Sequence, residues 1–208
     1  MLSSLLPCCC CYPHHTVFNS FPLFSGTKVT QKPGKFFRTG WGATVDGKLG
    51  WLVMEAVPVF VFPTAFWFST SPPDYKAISV PAAILLFLWM AHYVHRAFVY
   101  TYFAPSISPS NITIVTMAII FNIANGFVNG VAAAKIVYDR MLGIQFWVGV
   151  VVFLCGAFIN IDSDYKLFRL RREAKVGEKI QRYFIPCGFI FEYISGANYF
   201  GELIEWTG

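Results

Sequence analysis

The sequence predicts an all-α integral membrane protein: a multi-span helical bundle with about four clear spans and a broken C-terminal segment. Hydrophobic residues make up 56% of the 208 residues and charged residues only 13%, and the mean hydropathy is +0.54. Four apolar stretches approach or exceed the ~20 residues that a helix needs to cross the hydrocarbon core of a bilayer. Because lipid offers the backbone no hydrogen-bond partners, such stretches favour helices.

The first part of the chain is an apolar, cysteine-rich segment covering residues 1–26. A signal peptide, a first span and a wrongly assigned start are the alternatives for it. Its four consecutive cysteines, Cys8 to Cys11, lack the spacing of a disulfide framework or of a zinc site. Palmitoylation near a membrane is one use for them, and no special role is the other.

The remaining part, residues 27–208, is interpreted as one membrane domain. Its predicted spans are 51–70, 78–102, 112–137 and 144–161. With four spans, the segments 27–49, 103–111 and 162–182 lie on one side, and their excess of lysine and arginine makes that side cytosolic. This positive-inside bias accounts for the net charge of +5, so no nucleic-acid partner is expected.

The last apolar segment, 183–208, differs from the four spans. It is interrupted by Pro186 and by glycines, and it carries polar residues that include Asn198 and Glu202. Irregular backbone at membrane depth is tolerated where it lines a cavity. The segment therefore predicts a broken element at the edge of such a cavity.

Ionisable and amide side chains lie within the predicted spans, where they are costly. They are Glu55 in the first span, His92, Tyr93, His95 and Arg96 in the second, and Asn122, Asn125 and Asn129 in the third. His92 and Arg96 share one helix face by their spacing, and the asparagines form one stripe. Separately, Glu55 could reach headgroups, Arg96 could snorkel and the asparagines could join helices. Together they predict a polar cavity inside the bundle.

A denser polar group lies at the cytosolic end of the fourth span. Asn160, Asp164 and Arg171 fall on one helix face at spacings of four and seven residues. Arg171 with Arg172 could hold a phosphate, because guanidinium pairs with phosphate oxygens in a bidentate manner. An ordinary basic segment facing anionic lipid is the alternative, and the spacing leaves both open.

Several motifs together carry a family resemblance. In the C-terminal part they are Gly156-Ala-Phe-Ile-Asn160-Ile-Asp-Ser-Asp164, Arg169-Leu-Arg171, Tyr183-Phe-Ile-Pro186, and the run from Phe191 to Trp206 around Asn198 and Glu202. Upstream they are Gly47-Lys-Leu-Gly-Trp51 with Glu55, His92-Tyr-Val-His-Arg96 with Tyr100, and Asn125-Gly126. Over roughly residues 40 to 208 the chain resembles the steroid 5α-reductase family. The block from 156 to 206 is the specific part, and enoyl-CoA and polyprenol reductases match it less well.

The resemblance implies NADPH-dependent reduction of the Δ4 double bond of a 3-oxo-steroid in the endoplasmic reticulum membrane. Tyr93 and Glu55 would hold the steroid carbonyl, since a phenol and a protonated carboxyl can both donate to a developing oxyanion. The implied NADPH-binding residues are Asn160, Asp164, Arg171, Tyr183, Asn198, Glu202 and Arg96. The implied partners are a steroid or sterol-like lipid substrate and membrane lipid, with no metal and no inferable protein partner.

The sequence departs from the family pattern at single positions and at both ends, where the resemblance implies truncation and where the cysteine-rich segment replaces the family's first span. Asp162 stands where the family commonly has histidine, Phe184 where it has a basic residue, and Met54 where it often has glutamine. The family continues beyond Gly208, so residues 27–208 are interpreted as a membrane reductase domain that is C-terminally incomplete. A related membrane enoyl-CoA or sterol reductase, and a catalytically inactive truncated member, are the alternative functions.

Overall fold

The computed structural model of the chain describes residues 43–70, 78–136, 143–176 and 186–208, with the side chains of 174–176 excepted. Its elements are β1 (Thr44–Val45), α1 (Gly47–Thr70), α2 (Val80–Val94), a π-helix (His95–Val99), α3 (Tyr100–Phe103), β2 (Ser110–Asn111), α4 (Ile112–Ala134), α5 (Ile144–Val176), a 3-10 helix (Phe189–Glu192) and α6 (Ala197–Glu205). The segment 1–26 and Tyr183 lie outside the described residues.

Within the residues that the structure describes, four helices are long and apolar enough to cross a membrane, as the sequence predicts. They cover Gly47–Thr70, Val80–Phe103, Ile112–Ala134 and Ile144–Glu173. Large hydrophobic side chains such as Phe60, Phe87 and Leu154 point outward and are more than half exposed. A soluble protein would bury most of these side chains, whereas a bilayer solvates them. The prediction of a helical multi-span membrane protein is confirmed.

Two predicted span boundaries differ from the structure by four residues or more. The first span begins at Gly47 and not at residue 51, because Asp46 caps it by accepting the backbone N–H of Leu49 at 3.0 Å. The fourth helix continues well beyond residue 161, to Val176. Its polar extension carries ion pairs at the i,i+4 spacing, Lys166 with Asp162 and Arg169 with Glu173, which favour helix.

Two prolines lie inside α1, and at Pro58 a side chain from another helix replaces the backbone hydrogen bond that the proline removes. Pro58 lacks an N–H, so it cannot bond the carbonyl of Met54 one turn earlier. The side-chain amide of Asn122, on α4, donates to that carbonyl at 2.8 Å. In a membrane an unsatisfied carbonyl is costly, so this bond compensates for the proline and joins the two helices.

Glycines allow two helix pairs to approach closely. Along α4, a Cβ added at Gly130 would lie 2.6 Å from the carbonyl oxygen of Phe62 on α1. Between α5 and α6, a Cβ at Gly156 would collide with the backbone nitrogen of Glu205, and one at Gly201 with that of Asn160. Small residues at such crossings are the usual means of packing helices in lipid. The bundle therefore consists of a pair α1–α4 and a pair α5–α6, with α2 reaching between them.

The apolar core lies between α1, α2 and α4. Phe62 stacks on Trp89 with ring centroids 4.4 Å apart, and Trp89 in turn contacts Tyr93 at 4.8 Å. The buried cluster also contains Val59, Phe66, Ala82 and Ala133. The core thus ends at Tyr93, where polar groups begin.

The C-terminal segment is broken, as predicted. The short 3-10 helix follows Gly188, which adopts a φ of 86°, a conformation that only glycine accepts readily. The segment then turns into α6 at Ala197. The irregular start places α6 against α5, with Glu202 and Glu205 facing α2.

Candidate functional site

The second span changes from α-helix to π-helix at the site. The wider turn covers His95–Val99 and buries Arg96, which is 5% exposed. Single π-helical turns within α-helices are frequent at functional sites, because they change the direction of the side chains. His92 and Arg96 both point towards α6, which agrees with the helix face predicted for them.

Arg96 is the centre of a buried charge cluster. Its Nη1 donates to Asp164 Oδ2 at 2.9 Å, and its Nη2 donates to Glu202 Oε2 at 3.3 Å. The guanidinium also lies 5.0 Å from the ring centroids of Trp51 and Tyr100. A buried cation needs such compensation. Arg96 is therefore an interior residue and does not snorkel to the interface.

Amide groups extend this cluster along α5 and α6. The side chain of Asn198 donates to Asp164 Oδ1 at 3.1 Å, and the side chain of Asn160 donates to the carbonyl of Asn198 at 2.9 Å. Both oxygens of Asp164 therefore have partners. Five predicted cofactor residues, Arg96, Asn160, Asp164, Asn198 and Glu202, meet in one network.

Tyr93 stands beside this network with its hydroxyl oriented by α4. Asn125 Nδ2 donates to the hydroxyl oxygen at 3.0 Å, and Asn129 Nδ2 donates to Asn125 Oδ1 at 2.9 Å. Since the phenol oxygen accepts from Asn125, its own proton can be donated elsewhere. Two members of the predicted asparagine stripe thus form a relay that ends on Tyr93.

Glu55 faces the same interior from α1. Its carboxyl is partly buried and interacts electrostatically with Arg96, His92 and Glu202. It also interacts with Tyr93. Both predicted catalytic side chains therefore face one region of the bundle.

Arg171 lies apart from the cluster, on its outer rim. It is exposed, and its Nη1 donates to the carbonyl of Ser106 at 3.3 Å. Its neighbour Arg172 donates to the carbonyl of Phe103 at 2.8 Å. The face predicted for Asn160, Asp164 and Arg171 thus runs from the buried network to the surface.

The sequence assigned no role to one further pair. His92 Nδ1 lies 2.7 Å from Glu205 Oε1, with the two side chains 6% and 2% exposed. Trp206 packs against His92 and Tyr93. The rule that ionisable groups in a membrane require partners could have indicated this pair. The rule names no partner, however, and 113 residues separate these two.

Comparisons with known proteins show which family the chain resembles. A family model described as 3-oxo-5-alpha-steroid 4-dehydrogenase matches residues 108–208. The steroid 5-alpha-reductase DET2 of Arabidopsis thaliana is 37% identical over 193 residues, which are 87% of this chain and 70% of the relative. The 3-oxo-5-alpha-steroid 4-dehydrogenase 1 of Homo sapiens is 35% identical over 79% of this chain and 61% of its own length. The 3-oxo-5-alpha-steroid 4-dehydrogenase 2 of Sus scrofa is 37% identical over 79% and 62%.

Proposed function

The chain belongs to the steroid 5α-reductase family, and on this premise we propose that it reduces the Δ4 double bond of a 3-oxo-steroid with NADPH. We place this activity in the endoplasmic reticulum membrane, with the steroid arriving through lipid. The chain spans 61 to 70% of the length of the relatives described above. The observation that carries the proposal is the Tyr93 hydroxyl, which accepts from Asn125 and keeps its proton for a substrate oxygen.

The reaction requires hydrogen-bond donors at the substrate oxygen on which negative charge develops. Addition of hydride at carbon 5 of a 3-oxo-Δ4-steroid moves charge onto the 3-oxygen, and a proton must then reach carbon 4. Tyr93, fixed by Asn125, supplies one donor to that oxygen, and Glu55 in its protonated form supplies a second. Fixed donors in a site that excludes water stabilise an oxyanion without reorganising in the transition state.

The rim and the buried network suit a phosphate-bearing dinucleotide. Arg171 and Arg172 each use one N–H on a backbone carbonyl, and a guanidinium has five donors. The remaining donors can bind phosphate oxygens. NADPH, when bound, supplies the hydride. The Arg96–Asp164–Asn198 network holds α2, α5 and α6 together, and Glu202, with 30% of its side chain exposed, presents a carboxylate at the edge of that network.

The test is turnover by the purified chain in detergent, with NADPH and a 3-oxo-Δ4-steroid. We expect Tyr93→Phe to lower kcat by about 10²–10³, the effect of removing one oxyanion donor. Glu173→Gln, which changes an exposed ion pair far from Tyr93, should leave the rate unchanged. Reduction of an enoyl-CoA or of another sterol in place of the steroid would assign the chain to a related reductase. A folded sample without turnover would indicate an inactive member.

A further inference from the structure

We propose that the His92–Glu205 pair, together with Trp206, is a positioning device that fixes the ring of Tyr93 for the steroid 3-oxygen. The inference rests on the proposed function, since it assigns further residues to the same site. It concerns side chains that touch Tyr93 and not the substrate, so His92, Glu205 and Trp206 are positioning residues.

The pair itself is short and buried. His92 Nδ1 lies 2.7 Å from Glu205 Oε1, and the Glu205 side chain is 2% exposed. The contact joins one imidazole nitrogen to one carboxyl oxygen and so fixes the plane of the imidazole ring. Glu205 Oε2 has no hydrogen-bond partner within the described part of the chain. The carboxylate thus makes a single bond, directed at the ring next to Tyr93.

The fixed imidazole ring of His92 positions Tyr93 through aromatic contacts. The His92 ring meets the Tyr93 ring edge to face at 4.8 Å, and Trp206 lies 4.8 Å from His92 and 5.8 Å from Tyr93. Trp89 closes a third side at 4.8 Å. Three rings therefore surround the phenol, which is 6% exposed. Asn125 orients the hydroxyl group of Tyr93, and the three rings fix the position of the phenol ring that bears it.

If the His92–Glu205 bond only held α6 against the second span, it would be redundant, because a second contact already holds α6 there. Arg96 bonds Glu202 at 3.3 Å, one helical turn from His92 and Glu205 on both helices. The close approach of α6 to α5 at Gly201 also holds α6 in place. Loss of the His92–Glu205 bond should therefore leave α6 docked and release the rings around Tyr93.

The test measures binding and not turnover. Dissociation constants are determined for a 3-oxo-Δ4-steroid and for its 3-deoxy analogue, which lacks the oxygen that Tyr93 would contact. The purified chain is compared with Glu205→Leu, Glu205→Gln, Tyr93→Phe and the double variant of Glu205→Leu with Tyr93→Phe. Glu173→Gln is the matched control, because it alters a carboxylate at the surface.

We expect the wild type to prefer the 3-oxo-steroid by about a hundredfold, the value of two net hydrogen bonds, one from Tyr93 and one from Glu55. Glu205→Leu should remove the share of this preference that Tyr93 supplies, about tenfold, and leave the affinity for the 3-deoxy analogue unchanged. Glu205→Gln keeps a side chain of the same shape that can hydrogen-bond to His92, so this variant should retain the preference for the 3-oxo-steroid. In the Tyr93→Phe background Glu205→Leu should have no further effect, because both changes remove the same contact.

The outcomes separate the two proposals. A wild-type chain that does not distinguish the steroids contradicts the proposed function and, with it, the positioning role. A wild type that distinguishes them, with Glu205→Leu retaining the full preference, overturns the positioning role alone. Equal loss of both affinities in Glu205→Leu also overturns it, since a general structural defect has that effect. If Glu205→Leu does not fold, His92→Leu removes the same bond from the other helix and is judged by the same ratio.

Discussion

Arg96 and Asp164 form an ion pair of 2.9 Å between the second and fourth spans, with side chains only 7% and 3% exposed. Breaking such a pair on one side leaves a charge without compensation, which typically costs 3–5 kcal/mol. Because Glu202 also contacts Arg96, we expect Asp164→Ala to lower the free energy of unfolding by about 3 kcal/mol.

Unfolding in detergent, followed by circular dichroism, measures this loss. The control is Glu173→Ala, which removes an exposed i,i+4 ion pair and should cost about 0.5 kcal/mol or less. Equal losses in the two variants would contradict a special role for the buried pair.

The second prediction concerns Asn125, which donates to the Tyr93 hydroxyl and orients it. Replacement by leucine removes one neutral hydrogen bond of 3.0 Å. We expect Asn125→Leu to lower kcat by about tenfold, in line with the net value of such a bond. The effect should vanish in a Tyr93→Phe background, and steady-state kinetics of the four proteins measures it. Additive losses would show that Asn125 acts through another group.

The third prediction tests whether Asn122 compensates for the hydrogen bond that Pro58 removes from α1. Asn122→Leu leaves the Met54 carbonyl unsatisfied, which should lower the free energy of unfolding by about 1–3 kcal/mol. Pro58→Ala restores the backbone N–H that the proline lacks. In that background the same Asn122→Leu change should cost clearly less. An equal cost in both backgrounds, measured by denaturant unfolding, would rule out the compensation.

The fourth prediction compares two glycines. At Gly130 an added Cβ would lie 2.6 Å from the backbone oxygen of Phe62, whereas at Gly196 the nearest atom is a side-chain carbon of Tyr199 at 3.6 Å. Gly130→Ala should therefore push α4 away from α1 and lower the free energy of unfolding by about 1–3 kcal/mol. Gly196→Ala should be close to neutral. Comparable melting temperatures for the two variants would contradict close packing at Gly130.

The sequence predicted the four spans well, because hydrophobic length reports directly on the thickness of the bilayer. It also drew attention to Glu55, Tyr93 and Arg96, since charged and polar groups within apolar runs are conspicuous, and their roles in a site stay a prediction. The π-helical turn at His95 was not predicted, because a periodicity of 3.6 residues does not reveal a local change of register. The pairing of His92 with Glu205 also depends on tertiary packing. Arg171 shares a helix face with Asp164, yet it lies beyond the buried network because about two helical turns separate the two residues along α5.

The small antiparallel pair of β1 and β2 places the starts of α1 and α4 side by side, with Thr44 opposite Asn111 and Val45 opposite Ser110. From there the two helices run in the same direction, since Gly50 faces Val115 near their starts and Phe66 lies against Gly130 further along. Parallel first and third spans require the second to run the opposite way. Tags inserted after residue 43 and in the segment 104–109 should therefore be labelled by an impermeant reagent from one side of the membrane, and never from opposite sides.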